Sequence, residues 1–282
     1  MLLVPYDKKQ KIVDLLGVAR DKTKYYGDKT YKDIKGTGTL FDCKKAWLQL
    51  ALIFMQTQKI TQNNIDWGIH SSENERFESI PIEKFGIKFI LFREVDSFKN
   101  MFNPLDFASN VETTFRFGLK GGLHFLGSDE NSINIIKIHF DNYEHYRRHL
   151  SGEKIIGRLN SLRPYITFSE HDELIDDRSS KNIEVNPRPF NDRELLLLVD
   201  LLVGGFRGAI YPPSSKPKRD LARISKQLLD RYYRGYARMQ NSRWFNSFCI
   251  SQCALENGIW KFNTIKVERD GNEYQLPLSG FV

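Results

Sequence analysis

A carboxylate lodged in an apolar helical run constrains this chain more than any other feature. The segment Leu195-Leu196-Leu197-Leu198-Val199-Asp200-Leu201-Leu202-Val203-Gly204-Gly205 reads as a buried helix with Asp200 at its centre. An unpaired buried charge costs several kcal/mol or more. On this reading Asp200 is protonated, paired or bound to a cation. A second carboxylate, Asp141, ends the apolar run Ile135-Ile136-Lys137-Ile138-His139-Phe140. One aspartate at a strand end and one on a helix point to a shared divalent-metal site.

The 282 residues allow one large domain or two small ones. Strand-like and helix-like stretches alternate over most of the chain, which favours an α/β sheet. Leu2-Leu3-Val4 opens as a strand. Helices are expected from Asp7 to about Arg20, Asp42 to about Thr57, Tyr143 to about Leu159, Leu195 to Ile210 and Asp220 to about Met239. Pro212-Pro213 stops the fourth of these. Ile133 to Phe140 reads as one strand buried on both faces. Ile65 to Ile69, Tyr165 to Phe168 and Ile183 to Val185 are shorter strand candidates. The stretch from Ile82 to about Met101 is ambiguous but long enough for a helix, and Gly118 to Asp129 reads as a loop. Trp244 to Cys253 and Ile259 to Val267 read as a β-hairpin around Glu256-Asn257-Gly258.

Net charge is +7 and unevenly spread. Nine basic residues lie between Lys216 and Arg243, against Asp220 and Asp230 alone, so this segment carries a surplus equal to that of the whole chain. Such a stripe attracts phosphate backbones. Lys218, Arg219, Arg223, Arg231, Arg234 and Arg238 are the candidate nucleic-acid contacts, DNA or RNA. Tyr232, Tyr233 and Tyr236 interleave with them as candidate stacking platforms. The competing reading is a solvated helix face with tyrosines in the core.

No run is apolar and long enough for a membrane span, which needs roughly 20 residues. Met1-Leu2-Leu3-Val4-Pro5 lacks the basic and apolar regions of a signal peptide. Cys43, Cys249 and Cys253 form no C-x-x-C pair, which argues against a zinc or disulfide framework and for reduced thiols in the cytoplasm. There is no phosphate-binding G-x-x-x-x-G-K-[ST] loop, and no serine or cysteine stands in a nucleophile elbow. His145 and His149 follow Asp141 at helical spacing. They are candidates for contacting a metal or, for His145, a leaving group; surface histidines on an amphipathic helix are the alternative.

The segment from Glu194 to Arg207, centred on Asp200, resembles the L-Q-L-A-D-L-x-x-G signature of the "domain of unknown function 3800" family. The strand ending in Asp141 resembles that family's central strand, Asp33-Ile34-Lys35-Gly36 its acidic–aliphatic–basic element, and Asp192-Arg193-Glu194 stands where Asp-Ser-Lys often occurs. The resemblance spans roughly residues 1 to 210 in element order. It implies an RNase H-like mixed sheet flanked by helices over 1–212, with 213–282 a basic helix and β-hairpin packed on it. It further implies Asp141, Asp200 and Asp33 as ligands of Mg²⁺ or Mn²⁺, and hydrolysis of phosphodiester bonds in nucleic acid. Members of the family begin with an Asp-x-Ser-Gly strand that this sequence does not contain. The expectation is therefore either an upstream strand or a degenerate scaffold that binds nucleic acid or a protein partner without turnover.

Overall fold

The computed structural model describes residues 1–55, 86–93, 118–119, 123, 132–141, 166–168, 175–178, 190–237, 248–256, 259–267 and 273–275. Four helices organise these residues: α1 (Tyr6–Thr23), α2 (Thr39–Met55), α3 (Arg193–Ile210) and α4 (Lys216–Ala237). A short 3₁₀ turn, η1 (Tyr31–Asp33), joins α1 to α2. Among the described residues, nine strands form three sheets. The largest runs in the order β1 (Leu2–Leu3), β2 (Lys88–Arg93), β7 (Phe248–Glu256), β8 (Ile259–Val267), β9 (Glu273–Gln275). β2 and β7 pair in parallel and the other neighbours pair antiparallel. Two parallel pairs complete the set: β3 (Ile133–Ile135) with β5 (Ile166–Phe168), and β4 (Ile138–Asp141) with β6 (Ile175–Arg178). The chain is thus an α/β protein with a mixed sheet.

The core lies where α1, α2 and α3 meet β2 and β7. α2 buries Cys43, Lys44, Ala46, Trp47 and Leu48, then Leu50 to Leu52, Phe54 and Met55, so little of its circumference is left to solvent. The Trp47 indole N–H donates to the Leu16 carbonyl at 3.0 Å, tying α2 to α1. Phe89 of β2, Phe206 of α3 and Phe248 of β7 stack with centroids 4.5–6.1 Å apart. Offset aromatic contacts add roughly 0.5–1.5 kcal/mol per pair beyond area burial. They fix α3 across the parallel β2–β7 seam.

Several expectations hold and several do not. The four helices whose residues are described stand within a few residues of their expected bounds, and the hairpin β7–β8 has its turn where the Asn-Gly signal put it. The strand β7 of that hairpin is a central strand of the main sheet, so residues 213–282 are joined to the rest by sheet pairing as well as by the packing of α4 on α2 and α3. Residues 88–93 are a strand and not part of a helix. Ile87, Lys88, Phe89 and Ile90 are all buried there, as suits a strand flanked on both edges. The run from Ile133 to Phe140 is two strands. It breaks at Ile136-Lys137, both exposed, and the halves pair with different partners. Gly118, Leu119 and Leu123 are helical rather than loop. β6 was not foreseen, since Ile175-Asp176-Asp177-Arg178 has almost no apolar signal. The expected strands at Ile65 to Ile69 and Ile183 to Val185, and the helix from Tyr143, lie outside the described residues.

Candidate functional site

The helix α3 shows two faces. Leu197, Leu198, Leu201, Leu202 and Phe206 are buried in the core. Leu196, Val199, Asp200 and Val203 fall on another stripe, three and four residues apart. Asp200 is exposed on that stripe. This corrects the premise of a buried Asp200, because its apolar neighbours in sequence point elsewhere around the helix. The carboxylate that α3 does bury is Glu194, 5 % exposed, about one and two-thirds turns earlier.

The exposed stripe of α3 forms one wall of a cavity of about 1160 Å³. The other walls include the β1–α1 entry from Met1 to Tyr6, the 28–33 segment with η1, the continuous stretch of residues 133–139 through β3 and into β4, and Gly86, Leu119 and Leu123. The lining is mostly aliphatic. Its acidic groups are Asp28, Asp33, Asp192 and Asp200, set against the cations of Lys9, Lys29, Lys32 and Lys137, with the His139 imidazole beside them. Asp33 and Asp200, far apart in the chain, therefore share one cavity. Asp141 is the last residue of β4, two after the cavity-lining His139. Its side chain lies outside the described residues, as do His145 and His149.

Glycines bring η1 this close to α3. A Cβ on Gly204 would lie 2.5 Å from Cβ and Cγ of Tyr31. Tyr31 also donates its hydroxyl to the Lys218 carbonyl at 3.0 Å, and burial pushes its pKa up to about 12. The backbone N–H of Thr30 donates to Asp33 Oδ2 at 3.0 Å, which fixes the carboxylate and occupies part of it. The side chain of Asp192, at the start of α3, makes no cap bond to its own helix. It instead accepts from Lys9 Nζ at 2.9 Å and faces His139 Nε2 at 3.3 Å, so α1 and β4 are tied to the same helix end.

Beneath α3 lies a buried ionic cluster. Arg20 Nε donates to Glu194 Oε2 at 2.8 Å, and its Nη1 to the carbonyls of Tyr25 and Gly27 at 3.2 and 2.8 Å. The Arg20 guanidinium sits 4.8 Å from the Trp47 ring centroid, and Lys44 Nζ lies 3.7 Å from the same centroid. Burial holds the Lys44 pKa down at about 8. Burial lowers that of Arg193 as well, and raises that of the Cys43 thiol.

The basic stripe on α4 is partly engaged. Lys218 donates to the Lys32 carbonyl, Arg219 to the Pro213 and Ser214 carbonyls, Arg223 pairs with Asp220 at 2.9 Å, and Lys226 with Asp230 at 2.7 Å. Arg223 remains 75 % exposed, so these contacts leave it at the surface. The side chains of Arg231, Arg234, Tyr232, Tyr233 and Tyr236, and all of Arg238, lie outside the described residues.

Among the described residues, no group of three or more His, Cys, Asp or Glu is assembled to hold a metal ion, and no helix is long and apolar enough to cross a membrane. Magnesium, however, is commonly held by one or two carboxylates with water and phosphate oxygens completing the shell. Asp33 and Asp200 are the right donor type for that, and the thiols are not. Sequence reasoning missed the Arg20–Glu194 pair and Lys44. The pattern Gly204-Gly205-x-x-Gly208 is a signal that could have pointed to a close approach on α3, which η1 makes. Against known proteins, the chain matches no family model, no curated protein and no solved structure.

Proposed function

We propose that this chain hydrolyses phosphodiester bonds of nucleic acid with the help of Mg²⁺ or Mn²⁺, on a scaffold related to RNase H. The observation that carries the reading is the common cavity of Asp33 and Asp200, with the strand that ends at Asp141 forming another of its walls. Asp33 and Asp200 would hold the cation, with Asp141 as third ligand. When bound, such a cation stabilises charge developing on the phosphoryl oxygens. The chain's own part is positional. Thr30 orients Asp33, the glycines of α3 admit η1, and Lys9, Lys29, Lys32 and Lys137 offset the negative charge of a phosphate backbone near the cavity. The basic face of α4 would track the backbone farther out.

The test is cleavage of end-labelled single- and double-stranded DNA and RNA with Mg²⁺, Mn²⁺ or a chelator present. Metal-dependent cleavage is expected in the native chain and lost in Asp200→Asn. Cleavage undiminished in that variant removes Asp200 from the chemistry. The aliphatic lining of the cavity supports a second reading, a binding module without turnover for nucleic acid or a protein partner. Its signature is salt-dependent oligonucleotide binding with no metal-dependent product.

A further inference from the structure

The cluster under α3 contains more cationic donors than acceptors. Arg20 pairs with Glu194, Lys44 shares the Trp47 ring with Arg20, and Arg193 precedes Glu194 in the chain; the charges of Arg20 and Glu194 act on both Lys44 and Arg193. Lys44 is fully buried and Arg20 is 1 % exposed. Arg20 Nη2, Lys44 Nζ, and Nε and Nη2 of Arg193 are buried and meet no hydrogen-bond acceptor among the described residues. Buried N–H groups are nearly always satisfied, and exceptions call for a cause. The Trp47 ring offers its π face to both Arg20 and Lys44, but an indole accepts no second strong bond from their remaining N–H groups. The backbone N–H groups at the start of α3 already have acceptors in Asn191 and Asp192, so the helix end is not what leaves donors over.

We propose that Lys44, Arg20 and Arg193 form a binding site for a phosphate-class oxyanion. A tetrahedral oxyanion supplies several acceptor oxygens, takes guanidinium forks in bidentate fashion and accepts from an ammonium as a point charge. Arg193 is only half-buried and marks the side from which the anion enters. Free phosphate and the terminal phosphate of a nucleic acid share this chemistry. The site is separate from the Asp33–Asp200 cavity and stands whether or not that cavity is catalytic.

The experiment is thermal unfolding of the full chain at pH 7 in millimolar inorganic phosphate against chloride of equal ionic strength. Phosphate is expected to raise the folding equilibrium constant by about eleven-fold at ten times its Kd. Lys44→Met removes the buried donor at similar volume and is expected to abolish the phosphate-specific response. Arg193→Gln, on a less buried side chain, is expected to weaken it by about ten-fold on the usual value of a charged hydrogen bond, and keeps the test decisive if the first variant does not fold. Identical unfolding in phosphate and chloride, or an undiminished phosphate response in either variant, overturns the site. A 5′-phosphorylated oligonucleotide protecting better than its 5′-hydroxyl counterpart assigns the anion to a nucleic-acid terminus; equal protection assigns it to free phosphate.

Discussion

Replacing Lys44 by methionine should stabilise this protein, and the gain should vanish at high pH. Burial moves the Lys44 pKa from 10.5 to about 8. At 1.36 kcal/mol per pKa unit, that shift means the charged folded state carries a cost of about 3 kcal/mol at pH 7. The contact with Trp47 at 3.7 Å returns part of it, about 1–2 kcal/mol for a desolvated cation over an indole. Methionine keeps a similar apolar stem without the charge, so Lys44→Met should gain roughly 1–2 kcal/mol at neutral pH. For a chain this long each kcal/mol moves Tm by about 2–4 °C. Between pH 8 and 10.5 the folded protein has released the Lys44 proton while the unfolded chain still holds it. The contribution of Lys44 to native stability therefore rises with pH across that window, and the advantage of the variant over the native chain shrinks to nothing above it. The assay is urea unfolding of both proteins from pH 7 to 11 in buffers free of phosphate and sulfate. A variant that is destabilised by the same amount at every pH would refute the reasoning, because Lys44 would then act through packing and not through its buried charge.

Three further outcomes follow from the geometry. Glu194→Gln should cost about 3–5 kcal/mol by chemical denaturation, since it leaves the Arg20 guanidinium buried and uncompensated. Gly204→Ala places a methyl group against Tyr31. It should lower stability by about 1–3 kcal/mol, as overpacking does, and reduce metal-dependent cleavage through displacement of η1 and Asp33; a variant with native Tm and native cleavage would show that η1 gives way freely. Asp200→Asn should leave unfolding within about 0.5 kcal/mol of the native chain, because the residue is exposed, while abolishing cleavage.

The two acids of α3 illustrate why a site is harder to read than a helix. Asp200 drew attention because leucines flank it in sequence, yet Leu196, Val199 and Val203 share its stripe and line a cavity instead of the core. Glu194, an acid in the first turn of α3, is the buried partner of Arg20. Hydrophobicity summed along a run does not say which sector of the helix meets the core. That sector is chosen by what packs there, namely Phe89 and Phe248 on one side and Tyr31 on another. Asp33 and Asp200 were paired by resemblance, and their common cavity arises through the glycine contact between η1 and α3.

Local periodicity alone determined α1, α2, α3 and α4 and the β7–β8 hairpin, because helix and turn signals act between residues a few positions apart. Tertiary structure decided the rest. β2 is a strand because β1 and β7 hold both its edges, and the 133–140 run divides because β5 and β6 pair with different halves of it. Strand pairing is a contract between distant segments, and so is the choice of which charge goes inside. Neither is written in any one window of the chain.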